Sequence, residues 1–263
     1  MLQIVVLAIV QGLTEFLPIS SSGHLVLVPA FMGWADQGLL FDVAVHFGSL
    51  GAVCIYFFRD LMGLLRGAGH VVTGNVQSTQ ARMALAIGIG TVPAAIAGLL
   101  FAGWIEANLR HPGVIVVTLS TFGVLMVLAD RYGRRTRVIT DVRIRDALLI
   151  GLAQAGALIP GTSRSGITIT VGLALGLQRQ DAARFSFLLS APVIMLACGY
   201  KVISLLLEGS AIAWGQLGIG ALVSGIVAYI SIEFFMRFVT VIGLLPFAIY
   251  RFVLAGVILF VLI

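Results

Sequence analysis

A chain of 263 residues that is 60% hydrophobic and only 10% charged, with a mean hydropathy of +1.10, is not an ordinary soluble domain, in which about 25% of residues are charged. The net charge of +5 could suggest nucleic acid. Here, though, the basic residues sit in short connections between apolar runs, which is the positive-inside pattern of a membrane protein, and no nucleic-acid partner is expected. Cys54 and Cys198 lie in apolar stretches, where free cysteine behaves as a small hydrophobe, so neither a disulfide nor a metal role is assigned to them.

In chain order, residues 1–35 are apolar but interrupted at 17–23 by Leu-Pro-Ile-Ser-Ser-Ser-Gly. The first ten residues lack a basic n-region and a cleavage site, so they read as part of the mature fold. Spans follow at about 40–59, 84–104 and 113–130, each near the roughly 20 residues that a membrane crossing needs. The segment 131–145 carries six arginines, Arg131, Arg134, Arg135, Arg137, Arg143 and Arg145, and is expected in the cytoplasm. Residues 146–177 are again apolar and again broken, at 160–166, by Pro-Gly-Thr-Ser-Arg-Ser-Gly. Three further spans are expected at 184–206, 215–236 and 245–263.

The two broken segments are too polar at their centres to cross as single helices. They read as re-entrant helix–loop–helix hairpins, whose irregular backbone must be buried in protein or line a wet cavity. With an offset of 143, Gln11 meets Gln154, Ser20 meets Ser163, Ser22 meets Ser165 and Gly23 meets Gly166. The expected fold is therefore an all-α polytopic membrane protein, a single domain over 1–263. It has six transmembrane helices plus two re-entrant hairpins in an inverted-topology repeat. The first repeat is 1–130 (hairpin 1–35) and the second 146–263 (hairpin 146–177), with a site near the midplane where the broken helices meet.

Two constellations carry chemistry. In Gln11-Gly-Leu-Thr-Glu15-Phe-Leu-Pro-Ile-Ser20-Ser21-Ser22-Gly23-His24, Gln11 and Glu15 share a helix face, and a tight turn brings three hydroxyls and an imidazole toward them. A serine here could simply cap the next helix. Glu15 and His24 are harder to dismiss, because an acid at membrane depth costs on the order of 2.5–3.5 kcal/mol. In Pro160-Gly161-Thr162-Ser163-Arg164-Ser165-Gly166-Ile167-Thr168, a Gly/Ser turn before a helix presents N–H groups to an anion, and Arg164 adds a fork suited to phosphate oxygens. Arg164 either holds phosphate or pairs structurally with Glu15. Acid/base groups, hydroxyls and an anion cradle suit phosphoryl transfer, whereas a zincin or G-x-S-x-G hydrolase pattern is absent from the sequence. A lipid carrier or flippase would need the same cradle, but not the Ser-Ser-Ser-Gly-His run.

QGLTEFLPISSSGH and PGTSRSGITIT resemble the two signature motifs of the undecaprenyl-diphosphate phosphatases of the bacitracin-resistance type. The segments Phe41–Ser49 and Pro246–Phe252 are also similar to that family, so the likeness spans nearly the whole chain. The resemblance implies hydrolysis of undecaprenyl diphosphate to the monophosphate and inorganic phosphate, recycling the cell-wall lipid carrier and conferring bacitracin resistance. It implies a divalent cation, Mg or Ca, with Glu15 as a ligand. It further implies a bacterial inner-membrane location with the site facing the periplasm, membrane lipids and the polyprenyl diphosphate as partners, and it leaves a homodimer open. Carried over position by position, Glu15 is the acid, Ser21 the nucleophile or a phosphate ligand, His24 the acid/base and Arg164 the phosphate clamp. Gln11, Ser20, Ser22, Gly161, Ser163, Ser165 and Thr168 bind substrate. The family often has Glu where this chain has Gln11; an amide cannot act as a base, so that role shifts to Glu15 or His24. His46 and Asp42 either surround the site or pair within their own helix.

Overall fold

The computed structural model describes residues 1–35, 38–109, 111–208 and 214–262. Among them the regular elements are helical: α1 (Leu2–Thr14), α2 (Ser21–Met32), α3 (Leu39–Tyr56), α4 (Phe58–Val72), α5 (Thr79–Asn108), α6 (Pro112–Tyr132), a short 3-10 turn (Ile139–Asp141), α7 (Ile144–Gly156), α8 (Arg164–Ala174), α9 (Arg179–Glu208), α10 (Trp214–Ile242) and α11 (Leu245–Leu262).

Among the described residues, four helices are long and apolar enough to cross a membrane: Thr79–Ile105, Pro112–Tyr132, Arg179–Ile203 and Trp214–Ile242. A fifth crossing exists if α3 and α4 are taken as one broken span, bent by 85°. The expected span at 40–59 therefore ends early. The chain turns at Phe57, and α4 carries Arg59, Asp60, Arg66 and His70, too polar for a buried span end. The sixth expected span corresponds to Leu245–Val261, a shorter apolar helix.

The two interrupted segments form helix–loop–helix pairs. In each, the helices pack on one another, α1 on α2 and α7 on α8. The 13 residues of α1 and of α7 reach only about 20 Å at 1.5 Å per residue, short of a hydrocarbon core of about 30 Å. The interior packing follows membrane rules, with glycine letting backbones approach. A Cβ on Gly12 of α1 would lie 2.6 Å from the Ser224 carbonyl oxygen of α10, and one on Gly151 of α7 would lie 2.4 Å from the Gly90 carbonyl oxygen of α5. Each pair is thus seated on a different long helix.

An aromatic chain fixes the first loop against the bundle. Phe16 is wholly buried and meets Phe187 of α9 edge-on at 5.3 Å; Phe187 in turn meets Phe235 at 5.7 Å and Phe57 at 6.2 Å. Tilted and edge-on contacts of this kind favour the ring quadrupoles. Because Phe16 follows Glu15 directly, this packing sets where that carboxylate points. At the arginine-rich end, Arg179 grips Asp130 with hydrogen bonds of 2.5 and 3.0 Å, and the N–H of Leu244 donates to the same carboxylate at 3.1 Å. That clasp holds α6, α9 and the α10–α11 turn together.

Candidate active site

The two loops are built by the same device. Ser20 and Ser163 are N-caps with left-handed backbone, φ 76° and 70°. That conformation is costly for a residue with a Cβ and persists only when its surroundings enforce it. In each loop the cap oxygen accepts from the glycine N–H three residues on, Gly23 at 3.4 Å and Gly166 at 3.1 Å. In each, the same oxygen lies beside the hydroxyl two residues on, Ser22 at 3.4 Å and Ser165 at 3.3 Å. Two serines assigned to substrate, Ser20 and Ser163, are therefore occupied in shaping the turns.

Arg251 joins the loops. It is 0% exposed, and its five N–H donors meet five carbonyl oxygens. Nε donates to Leu119 (3.1 Å), one terminal nitrogen to Pro18 (3.4 Å) and Thr162 (3.0 Å), and the other to Thr118 (3.2 Å) and Gly161 (3.0 Å). Pro18 belongs to the first loop, Gly161 and Thr162 to the second, and the other two to α6. Gly161, φ 87°, is pressed so close to α6 that a Cβ would sit 2.2 Å from the Thr118 hydroxyl. Its place is structural as well as conformational. Ser165 adds a direct link, donating to the Leu17 carbonyl at 3.1 Å.

At the junction lies Glu15, 7% exposed. One carboxylate oxygen accepts from Arg164 at 3.0 Å. The other accepts from the Ser21 hydroxyl at 2.7 Å and from the Gln11 amide at 3.0 Å, and Nε2 of His46 lies 3.6 Å away. Four of the sequence-expected residues, Gln11, Glu15, Ser21 and Arg164, thus converge. The pairing of Arg164 with Glu15 and its availability to an anion are compatible. Among the described residues its guanidinium donates to Glu15 and to the Ser186 carbonyl (3.2 Å), which leaves donors of its five for phosphate oxygens. It also lies over the Phe16 ring at 5.6 Å.

The other expected residues stand around this centre. His24 hydrogen-bonds the Ser20 carbonyl at 2.7 Å and Tyr250 at 2.6 Å. Ser22 is exposed at the loop surface. Thr168 is turned toward α9, with its hydroxyl 2.6 Å from that of Ser186, and so braces the residue whose carbonyl holds Arg164. His46 takes the place left open for it, with Nδ1 donating to the Asp42 carbonyl at 2.7 Å and Nε2 toward Glu15. Sequence reading missed Tyr250 and the role of Arg251. The available signals were Arg251 itself, a full charge at membrane depth, and the family-like segment Pro246–Phe252 that holds both residues.

One buried oxygen bears on whether a divalent cation fits. The Gln11 amide nitrogen is committed to Glu15, which aims its oxygen elsewhere; that oxygen is buried and has no hydrogen-bond partner among the described residues. A neutral oxygen, a carboxylate and a serine hydroxyl are the hard ligands that Mg and Ca take, and Mg in particular is often held by one or two carboxylates plus substrate phosphates. Among the described residues no group of three or more His, Cys, Asp and Glu gathers, so the substrate and water would complete such a shell.

A family model described as bacitracin resistance protein BacA matches residues 4–257. The chain is 51% identical over 261 residues to the undecaprenyl-diphosphatase of Teredinibacter turnerae, covering 99% of this chain and 98% of that one. It is 52% identical over 255 residues to the undecaprenyl-diphosphatase of Hahella chejuensis (97% and 96%) and 50% identical over 262 residues to undecaprenyl-diphosphatase 2 of Stutzerimonas stutzeri (98% and 97%). A match from end to end, with both loops inside it, means that this chain belongs to the BacA family of bacitracin resistance proteins.

Proposed function

We propose that this protein hydrolyses undecaprenyl diphosphate to undecaprenyl phosphate and inorganic phosphate, returning the lipid carrier to cell-wall synthesis. The relatives' shared name supplies the substrate. The observation that carries the chemistry is the Glu15 carboxylate, which accepts the Ser21 hydroxyl at 2.7 Å on one oxygen and Arg164 at 3.0 Å on the other.

In this reading the terminal phosphate enters against the free N–H groups of Arg164, in line with Ser21. Glu15, oriented by Arg164, takes the Ser21 proton as the hydroxyl attacks the terminal phosphorus, the bridging P–O bond breaks and undecaprenyl phosphate leaves. Positioning and charge neutralisation do most of the work in such transfers. His24 handles the second proton, that of the water which releases phosphate from the serine. Gln11 and Glu15 would hold a Mg or Ca ion, whose chemistry when bound is to neutralise charge on the diphosphate oxygens.

The fold is read as an inverted-topology repeat in the cell membrane. The α1–α2 and α7–α8 pairs are re-entrant hairpins opening from opposite sides, and the α1–α2 loop faces the periplasm. Support comes from the matched serine caps, from the seating of α1 on α10 and α7 on α5, and from the arginine cluster at 131–145, which belongs in the cytoplasm.

The test is phosphate release from a C15 or C55 polyprenyl diphosphate in detergent. Ser21→Ala and His24→Ala are expected to remain folded and to lose about 100-fold or more in kcat. Near-normal release by both would overturn the assignment.

A further inference from the structure

Tyr250 lies outside both signature loops, on α11, yet its hydroxyl makes the shortest hydrogen bond described for His24. We propose that Tyr250 is a positioning residue of the reaction, fixing the orientation of the His24 ring through Nε2 while the Ser20 carbonyl sets its tautomer. The proposal rests on the phosphatase reading above and adds a residue that this reading does not use.

The tautomer follows from the acceptors. Nδ1 of His24 lies 2.7 Å from the Ser20 carbonyl oxygen, which can only accept, so Nδ1 carries the hydrogen. A neutral His24 then has its lone pair at Nε2, 2.6 Å from the Tyr250 hydroxyl, and the phenol donates to it. The Ser20 carbonyl also accepts the backbone N–H of His24 at 3.3 Å. The imidazole is therefore pinned to the residue whose left-handed backbone, φ 76°, makes the turn.

The phenol side is equally well fixed. Tyr250 precedes Arg251, whose five hydrogen bonds to backbone carbonyls lock that turn of α11 to α6 and to both loops. The two rings run near-parallel, 15° apart with centroids 5.6 Å apart. His24 is 7% exposed and Tyr250 42%, so the phenol covers the imidazole on its outer side. A hydroxyl suits this place because it works in both charge states. It donates to neutral Nε2, and once a proton arrives there it turns to accept from Nε2–H. Phenylalanine would keep the ring contact and lose the hydrogen bond at Nε2.

The experiment compares the full-length protein with Tyr250→Phe in detergent, using a C55 diphosphate. Histidine-specific 15N labelling reports the tautomer, and the His24 signals are identified by their loss in His24→Gln. Tyr250→Phe is expected to lower kcat about tenfold to a hundredfold, with KM within about twofold and an unchanged Tm. The His24 spectrum is expected to keep the Nδ1–H form while the Nε2 signal shifts with the loss of its hydrogen bond. Wild-type kcat with an unchanged spectrum overturns the proposal. A loss carried by KM alone, or one matched by a lower Tm, overturns it too, since it makes Tyr250 a substrate contact or a packing residue. Failure of the underlying phosphatase reading looks different: the wild type itself would then release no phosphate, whatever the spectrum of Tyr250→Phe.

Discussion

The two loops share a backbone geometry and differ in the side chains they bring to the junction. Each has a serine cap at positive φ, a glycine three residues on and a second hydroxyl beside the cap. The first loop then contributes the acid, the hydroxyl and the imidazole, Glu15, Ser21 and His24. The second contributes the cation, Arg164, and the residues that brace it. A turn that serves as a scaffold in both places carries opposite charge in each, and the site exists only where the two meet. The lesson is that the scaffold and the chemistry are separable, and substitutions can pull them apart.

The largest expected effect comes from the charge pair that bridges the loops. Glu15 and Arg164 are both nearly buried, with side-chain exposures of 7% and 13%. Removing one partner leaves the other charged and unpaired, at a cost of about 3–5 kcal/mol, whereas replacing both with neutral groups is often close to neutral. Arg164→Gln and Glu15→Gln should each lower the thermal midpoint and cut kcat by about 100-fold or more. The double variant should recover most of the thermal midpoint and none of the activity. If activity returns with stability, the pair is scaffold alone, and the division of labour between the loops is wrong.

A smaller effect tests the shared scaffold. Ser20→Ala and Ser163→Ala each remove a cap worth about 1 kcal/mol, while Ser→Gly at either position also relieves the positive φ. The two loops should respond alike in stability: Ala lowers the thermal midpoint, and Gly lowers it less. Unequal responses would mean that the resemblance between the turns is superficial.

How much of this was visible in the sequence depends on how far apart the partners are. The membrane character and the two interruptions could be read from apolar runs and breakers. The meeting of Gln11, Glu15 and Ser21 could be read because those residues lie within ten positions of one another and the helix period does the rest. The Arg164–Glu15 contact was foreseen as an alternative, since a buried acid and a buried arginine seek each other. Tyr250 and Arg251 reach the first loop from 226 and 233 residues away, and no local pattern encodes that. The bend at Phe57 was also hidden. It contains neither proline nor glycine, and it arises where the apolar run gives way to Arg59 and Asp60, whose partner Arg184 lies on α9.

The smallest effect separates the pairs at their outer ends. α7 opens with Asp146, which accepts the Arg143 N–H at 2.9 Å and pairs with Arg137; α1 opens at Met1 with no side-chain cap. Burial alone would raise the Asp146 pKa. The hydrogen bonds and charges of Arg137 and Arg143 outweigh it, and the carboxyl is held below its ordinary value. A depressed carboxyl contributes stability that is present above its unfolded pKa of about 3.9 and is lost as pH falls through the folded value. Asp146→Asn should therefore cost about 1 kcal/mol near neutral pH, where the pair is partly exposed and its worth modest. The gap in thermal midpoint between variant and wild type should begin to narrow below about pH 4 and close as pH falls through the folded value, where the native aspartate protonates. A gap independent of pH would assign the effect to the neutral cap hydrogen bond, and the α7–α8 pair would then begin no differently in charge from the α1–α2 pair.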